Sequence, residues 1–148
     1  MARESYFEFA SNNYSDKIID IIDLFSQIGW NHIDFDGMTE YIPLGDKDDY
    51  DWQTLKMPYD ALKKMITTKQ LNKERVGVIL YEHEYKRAVT FLAENTKTIT
   101  LNIDVYRKSL NGNADNFLDA NWYIQNIFQR LSNKGVVIDN IKFEDYLG

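Results

Sequence analysis

Four carboxylates crowd into six positions in the run Asp46-Lys47-Asp48-Asp49-Tyr50-Asp51. Closely spaced carboxylate oxygens are what a calcium loop needs. The twelve-residue calcium loop also needs Gly at its sixth position and a bidentate Glu at its twelfth. Counted from Asp46, those positions hold Asp51 and Met57, so the pattern fails. What remains is a solvated acidic loop, or at most a looser oxygen-ligand site. A second run, Glu82-His83-Glu84-Tyr85-Lys86, contains Glu-x-Lys, the tail of a magnesium-nuclease pattern in which carboxylates hold the metal and the Lys stabilises charge. No upstream Asp partner or basic groove accompanies it, and a formal net charge of −6 opposes contact with a phosphate backbone. His32 and His83 are the two histidines. Either would need a hydroxyl nucleophile and an orienting acid for covalent catalysis, and no Gly-x-Ser-x-Gly is present. The seven glycines stand singly, which leaves no phosphate-cradling loop, and the absence of Cys removes thiolate metal sites and a thiol nucleophile. The expectation is no cofactor and no bound metal.

The other chemistry open to the chain is that of paired carboxylates. Residues 98–106 alternate, with Thr98, Thr100, Asn102, Asp104 and Tyr106 on one side. That polar side reads as the wet face of an antiparallel sheet, or as the floor of a cleft with Asp104 and Tyr106 at its end. Glu82, Glu84 and Asp104 are the carboxylates such a cleft would use.

The elements that must position these groups can be read from periodicity and turn chemistry. Residues 5–10 alternate as a short strand. Ser15 can cap a helix whose inner face is Ile18, Ile21, Ile22, Phe25 and Ile28, and Gly29 ends it. Asp36-Gly37, between Ile33/Phe35 and residues 38–42, predicts a hairpin turn. Residues 43–51 form an acidic loop. Pro58 opens a second helix that carries Leu62, Met65 and Ile66 to about Gln70. Residues 76–81 are almost wholly apolar and predict a central strand, in which Gly77 marks a bulge or a close helix contact. Strands over 87–93 and 98–106 follow through short turns. Asp115 caps a third helix with Phe117, Ala120, Ile124, Ile127, Phe128 and Leu131 inward, and Lys134-Gly135 closes it. Residues 136–143 form the last strand. The order is β-α-β-β-α-β-β-β-α-β, an α+β fold with a mostly antiparallel sheet of six to seven strands and three helices on one face.

Composition agrees with one domain over residues 1–148. A chain of 148 residues buries about 68% of its unfolded surface, enough for a core without staples. With 44% hydrophobic and 14% aromatic residues, disorder is excluded. No apolar run reaches the roughly 18 residues a membrane helix needs, and the early charges of Met-Ala-Arg-Glu are not those of a secretory leader. A cytoplasmic protein is expected. Its charge is unevenly spread. Residues 34–51 hold seven acids against Lys47, a net −6 equal to that of the whole chain, and residues 56–75 reverse the sign with six bases against two acids. A concentrated field of this kind steers a partner of opposite charge, or simply keeps the chain dispersed in water.

Aromatics flank the acidic stretch. Tyr41, Tyr50, Trp52 and Tyr59 lie in or beside it, Trp30 precedes it, and Trp122-Tyr123 sits early in the third helix, where at most one of the two can face the core. Aromatic anchors among charges are how protein-binding surfaces are made. Asp34, Asp36, Glu40, Tyr41, Asp46, Asp48, Asp49, Tyr50, Asp51 and Trp52 are therefore the candidate partner-binding residues. In size, acidity and lack of catalytic motifs, with that acidic stretch and its Tyr41, Tyr50 and Trp52, the chain resembles bacterial immunity proteins, which neutralise cognate toxins, often nucleases. The resemblance implies an inhibitor of a basic protein toxin, with no direct nucleic-acid or membrane partner. An acidic DNA mimic would be a variant of the same reading. The alternative is a small-ligand binder or hydrolase built on the carboxylates of the sheet.

Overall fold

The computed structural model describes residues 3–11, 13–113 and 115–148; Met1 and Ala2 of the charged N-terminus, Asn12 and Ala114 lie outside them. The elements follow the predicted order. They are β1 (Arg3–Phe9), α1 (Ile18–Gln27), β2 (Thr39–Tyr41), β3 (Gln53–Leu55), α2 (Tyr59–Leu71), β4 (Val76–Glu82), β5 (Arg87–Ala93) and β6 (Ile99–Asn102), then a third helix and β7 (Ile141–Leu147). The seven strands form one sheet in the order β3-β2-β4-β5-β6-β1-β7, and every pairing is antiparallel. The fold is α+β.

Alternation sorts the sheet's two faces. Phe7, Phe9, Val78, Leu80, Val89, Phe91, Ile99 and Leu101 point to the side that α1, α2 and the third helix cover, and one continuous core results. Its aromatic centre is close-packed: Phe91 meets Phe25 of α1 edge-on at 5.7 Å, and Phe7 and Phe9 each lie within about 5 Å of Phe128 of the third helix. Ile79, Tyr81 and Ala88 face the other way, where Phe35 and Trp52 partly roof them. As expected from its composition, β4 is buried along its whole length.

Local chemistry explains where the elements begin and end. Gly29 follows α1 at φ +102°, a conformation that favours Gly. Ser15 does not cap α1 in the ordinary way. Its hydroxyl accepts from the Lys17 N–H and donates to Asp20, and the first helical N–H, that of Ile18, is taken by the Gln70 side chain of α2. Pro58 stands one place earlier than predicted, as the extended residue before α2.

Five expectations are corrected. Asp36-Gly37 does form a turn, closed by the Gly37 N–H on the Asp34 carbonyl, but no strand precedes it. β2 pairs instead with β3 and β4, so the hairpin loop is the acidic stretch itself, residues 42–52. β6 is shorter than 98–106: it runs Ile99–Asn102, and further on Val105 turns out to solvent and Tyr106 takes a left-handed φ of +49°. The third helix starts at Ala120. Asp119 rather than Asp115 caps it, leaving Phe117 on the surface under the Arg3 guanidinium and Ile124 exposed. The last strand lies at 141–147 rather than 136–143, because that is the stretch that pairs with β1, and residues 136–140 run to it without regular structure. Gly77 marks neither a bulge nor a helix contact.

A Cβ at Gly77 would come within 2.4 Å of the buried Ile42 side chain and 3.1 Å of Trp52, which crosses β4 on the roofed face. Gly77→Ala should therefore cost about 1–3 kcal/mol, the usual range for overpacking a filled site. Urea unfolding measures it, and a neutral substitution would show that Ile42 and Trp52 can give way freely.

The third helix contains a widened segment. The α segment Ala120–Tyr123 passes into a π segment, Ile124–Gln129, and then into the α segment Arg130–Asn133. Within the π segment the Asn126 carbonyl accepts from the indole N–H of the fully buried Trp30 at 3.0 Å. Of Trp122 and Tyr123, only Tyr123 is fully inside. Trp122 lies edge-on between Trp30 and Tyr85.

Candidate partner-binding surface

The loop 42–52 leaves the sheet at the end of β2 and returns as β3, so it stands at one edge of the fold. A polar loop of this length is ordinarily mobile. Here it is fastened twice. Lys69, at helical spacing from Leu62, Met65 and Ile66, has no exposed surface. Its ammonium donates to the Pro43 carbonyl at 2.6 Å, the Asp46 carbonyl at 2.9 Å and the Glu74 carboxylate at 3.2 Å. The same Glu74 oxygen accepts from the Gly45 N–H at 2.7 Å. A buried charge is tolerable only when paired and fully hydrogen-bonded, and this arrangement pins the start of the loop.

The second fastening is Asp46. Its carboxylate accepts from the N–H groups of Asp49 (2.8 Å), Tyr50 (3.3 Å) and Asp51 (2.8 Å). The chain is thereby wound around one buried carboxylate, with Tyr50 at φ +53°, and the side chains of Asp48, Asp49, Tyr50 and Asp51 turn out to water.

The ten predicted residues thus divide. Tyr41 is in the core. Glu40 lies on the roofed side of β2 and accepts from the Tyr81 hydroxyl at 2.6 Å; burial first, and then this bond, raises that phenol well above its ordinary range. Asp34 takes the N–H groups of Asp36 and Met38 and shapes the turn before β2. Asp46 winds the loop. Asp36, Asp48, Asp49, Tyr50 and Asp51 remain fully outward, with Trp52 half-buried against the sheet. Asp48 is shared with Arg75, 3.5 Å away, whose guanidinium also lies 5.6 Å from the Tyr50 ring centre. Lys69 and Glu74 were not among the predicted residues. The signal was present in Lys69's place on the apolar stripe of α2.

No protein family, curated protein or solved structure matches this chain.

The carboxylates of the alternative reading have different surroundings. Glu82 is buried and accepts from the N–H groups of Glu84 and Tyr85 in its own turn. Glu84 is exposed. Asp104 is raised above the ordinary carboxyl range by burial, and lies 3.4 Å from the Thr90 hydroxyl. Among the described residues, no three His, Asp or Glu side chains stand close enough to hold a metal. No helix is long and apolar enough to cross a membrane.

The two loop fasteners respond to acid. Three backbone N–H groups, that of Asp51 foremost, hold the Asp46 carboxyl below its ordinary range. Burial opposes the charge of Glu74, but the Gly45 N–H and the Lys69 ammonium outweigh it, and its pKa is lowered too. A carboxylate whose folded pKa is depressed contributes stability that is complete above its unfolded value and is lost as pH falls through the folded one. With unfolded values of 3.8 for Asp and 4.5 for Glu, their contribution should be intact at neutral pH and decline below about pH 4.5. Asp46→Asn should flatten part of that decline in urea titrations run at successive pH values. A decline identical to wild type would mean that Asp46 has no part in it.

Proposed function

We propose that the protein is a binding protein of the toxin-inhibitor kind, which neutralises a basic protein partner by covering its active surface with the acidic loop 42–52. The observation that supports this is the winding of the loop around Asp46. A stretch that served only to keep the chain in solution needs no fixed shape. This one is held by three backbone bonds to one carboxylate and by a buried lysine, with Asp48, Asp49, Tyr50 and Asp51 directed outward. A recognition loop ordered in advance avoids the entropy loss that a mobile one meets on binding. The exposed carboxylates supply long-range steering toward a basic surface, and Tyr50 supplies a rigid aromatic contact in their midst.

The test is capture from the cells of origin on the immobilised protein, followed by kinetics with the captured partner. The expected partner is a basic protein whose toxicity is suppressed by co-expression of this chain. Changing Asp48, Asp49 and Asp51 to Lys should slow association at least tenfold, and added salt should slow wild-type association in the same way, because exposed charges are screened over about 8 Å at physiological ionic strength. Stability should change by less than about 1 kcal/mol, as is usual for surface positions. Capture of a partner by the triple variant at an unchanged rate and salt dependence would overturn the proposal.

A further inference from the structure

The sheet has two edges, and they are built differently. β3 is three residues long and is followed at once by Lys56 and Pro58, a short and guarded edge. β7 at the other end is seven residues long and pairs along its full length with β1, while among the described residues no strand lies on its far side.

The direction of its free backbone groups follows from β1. The Ser5 carbonyl accepts from Ile103 N–H and the Ser11 N–H donates to Thr96, both toward the β6 side. Alternation then turns Glu4, Tyr6 and Glu8 toward β7, opposite Tyr146, Glu144 and Lys142. The N–H and C=O groups of Ile141, Phe143, Asp145 and Leu147 therefore point away from the sheet, a row of donors and acceptors that no backbone group among the described residues meets. On the same strand the side chains of Ile141, Phe143 and Leu147 are 39%, 38% and 57% exposed, with Phe143 resting on Phe7 at 4.8 Å.

We propose that β7 is a dimerisation edge, on which a second copy of this chain pairs its own β7 antiparallel about a two-fold axis at Phe143. The charges select this register. Lys142 and Glu144, both about half exposed, flank Phe143. An axis at Phe143 sets each Lys142 opposite the Glu144 of the other copy and stacks the two Phe143 rings on the helix side. An axis at Lys142, Glu144 or Asp145 would instead set like charges face to face. Asp145, opposite Ile141 in this register, is already held by Arg3 and Arg107 and is not left uncompensated. The outward N–H and C=O groups of Ile141, Phe143 and Asp145 then bond across the axis, and the two seven-stranded sheets become one. The acidic loops, at the opposite edge of each sheet, stay free.

Sedimentation of the purified chain at about 100 µM, a concentration that reveals even modest self-affinity, should show a dimer. Lys142→Glu alone and Glu144→Lys alone each put like charges across the axis and should weaken the dimer at least tenfold. The double swap should restore it, and mixing the two single variants should yield a heterodimer, because each then supplies the charge the other lacks. The chain has no cysteine, so Phe143→Cys should oxidise to a covalent dimer while Leu147→Cys should not. These positions are exposed or half-exposed, and unchanged circular dichroism confirms that the variants fold. A wild-type chain that sediments as a monomer overturns the proposal, and points to a strand from another protein as the occupant of the edge. A dimer indifferent to both single charge changes and to Phe143→Cys oxidation overturns it equally.

Discussion

Replacing Lys69 with Met should lower the unfolding free energy by about 3–5 kcal/mol, the range for removing one member of a buried ion pair. The reason lies in what the ammonium leaves behind. The Glu74 carboxylate keeps the Gly45 N–H and the Asn72 side chain but loses its cation, and the Pro43 and Asp46 carbonyls lose their donor inside the fold. The damage should reach the loop as well as the total stability: hydrogen exchange at residues 44–51 should quicken even where the core stays protected. Adding Glu74→Leu to Lys69→Met removes the stranded charge, so the double variant should lose less than the two single losses added together. Urea unfolding of the four chains measures this. A Lys69→Met chain within 1 kcal/mol of wild type would show that the ammonium is not what holds the loop.

Trp30→Ala should cost a similar amount, about 3–5 kcal/mol, as for other fully buried large aromatics. Trp30 fills the gap between the end of α1 and the π segment of the third helix. Its indole stands edge-on to Trp122 at 6.0 Å and donates to the Asn126 carbonyl. Trp30→Phe separates the two contributions. It retains most of the packing and removes the donor, leaving that carbonyl unmet, so it should cost about 1–3 kcal/mol. If Trp30→Phe proves as damaging as Trp30→Ala, the hydrogen bond rather than the volume dominates at this site.

Wherever a few neighbouring residues decide the outcome, the chain could be read from its sequence. Gly29 stops α1, Lys134-Gly135 stops the third helix, and the apolar run that became β4 could only be central. Asp36-Gly37 misled because a turn signal specifies the turn, not the strands on either side, and only long-range pairing gave β2 its partners. Asp115 and Asp119 are both good caps by residue type, and the structure uses Asp119, whose carboxylate also meets Lys108 across the loop. The π segment has no local signature, and the tryptophan that one of its carbonyls meets lies nearly a hundred positions away. In the acidic stretch composition was legible but direction was not. Spacing shows seven carboxylates, and only the structure shows that Asp34, Glu40 and Asp46 are spent on turns and a tyrosine while Asp36, Asp48, Asp49 and Asp51 face water, Asp48 with Arg75 beside it. Charge counting places Lys69 among the six bases of residues 56–75, and only the structure shows it buried on the apolar stripe of α2.

The position of β1 between β6 and β7 sets the order in which the molecule can be completed. β1 is made early, yet its nearest partner along the chain lies about ninety residues further on, where Phe9 meets Ile99, and its other partner lies later still. At about 5–20 residues per second of synthesis, β1 waits some 5–18 s for a first neighbour. During that interval the β4–β5 hairpin can close on itself, while Phe7 and Phe9 remain without the sheet they will join. Every growing chain thus passes through a stage in which a strand able to pair on both sides has nothing of its own to pair with. In that window only one face of β1, that of Phe7 and Phe9, is apolar, and the sheet and helices that will cover it are not yet made.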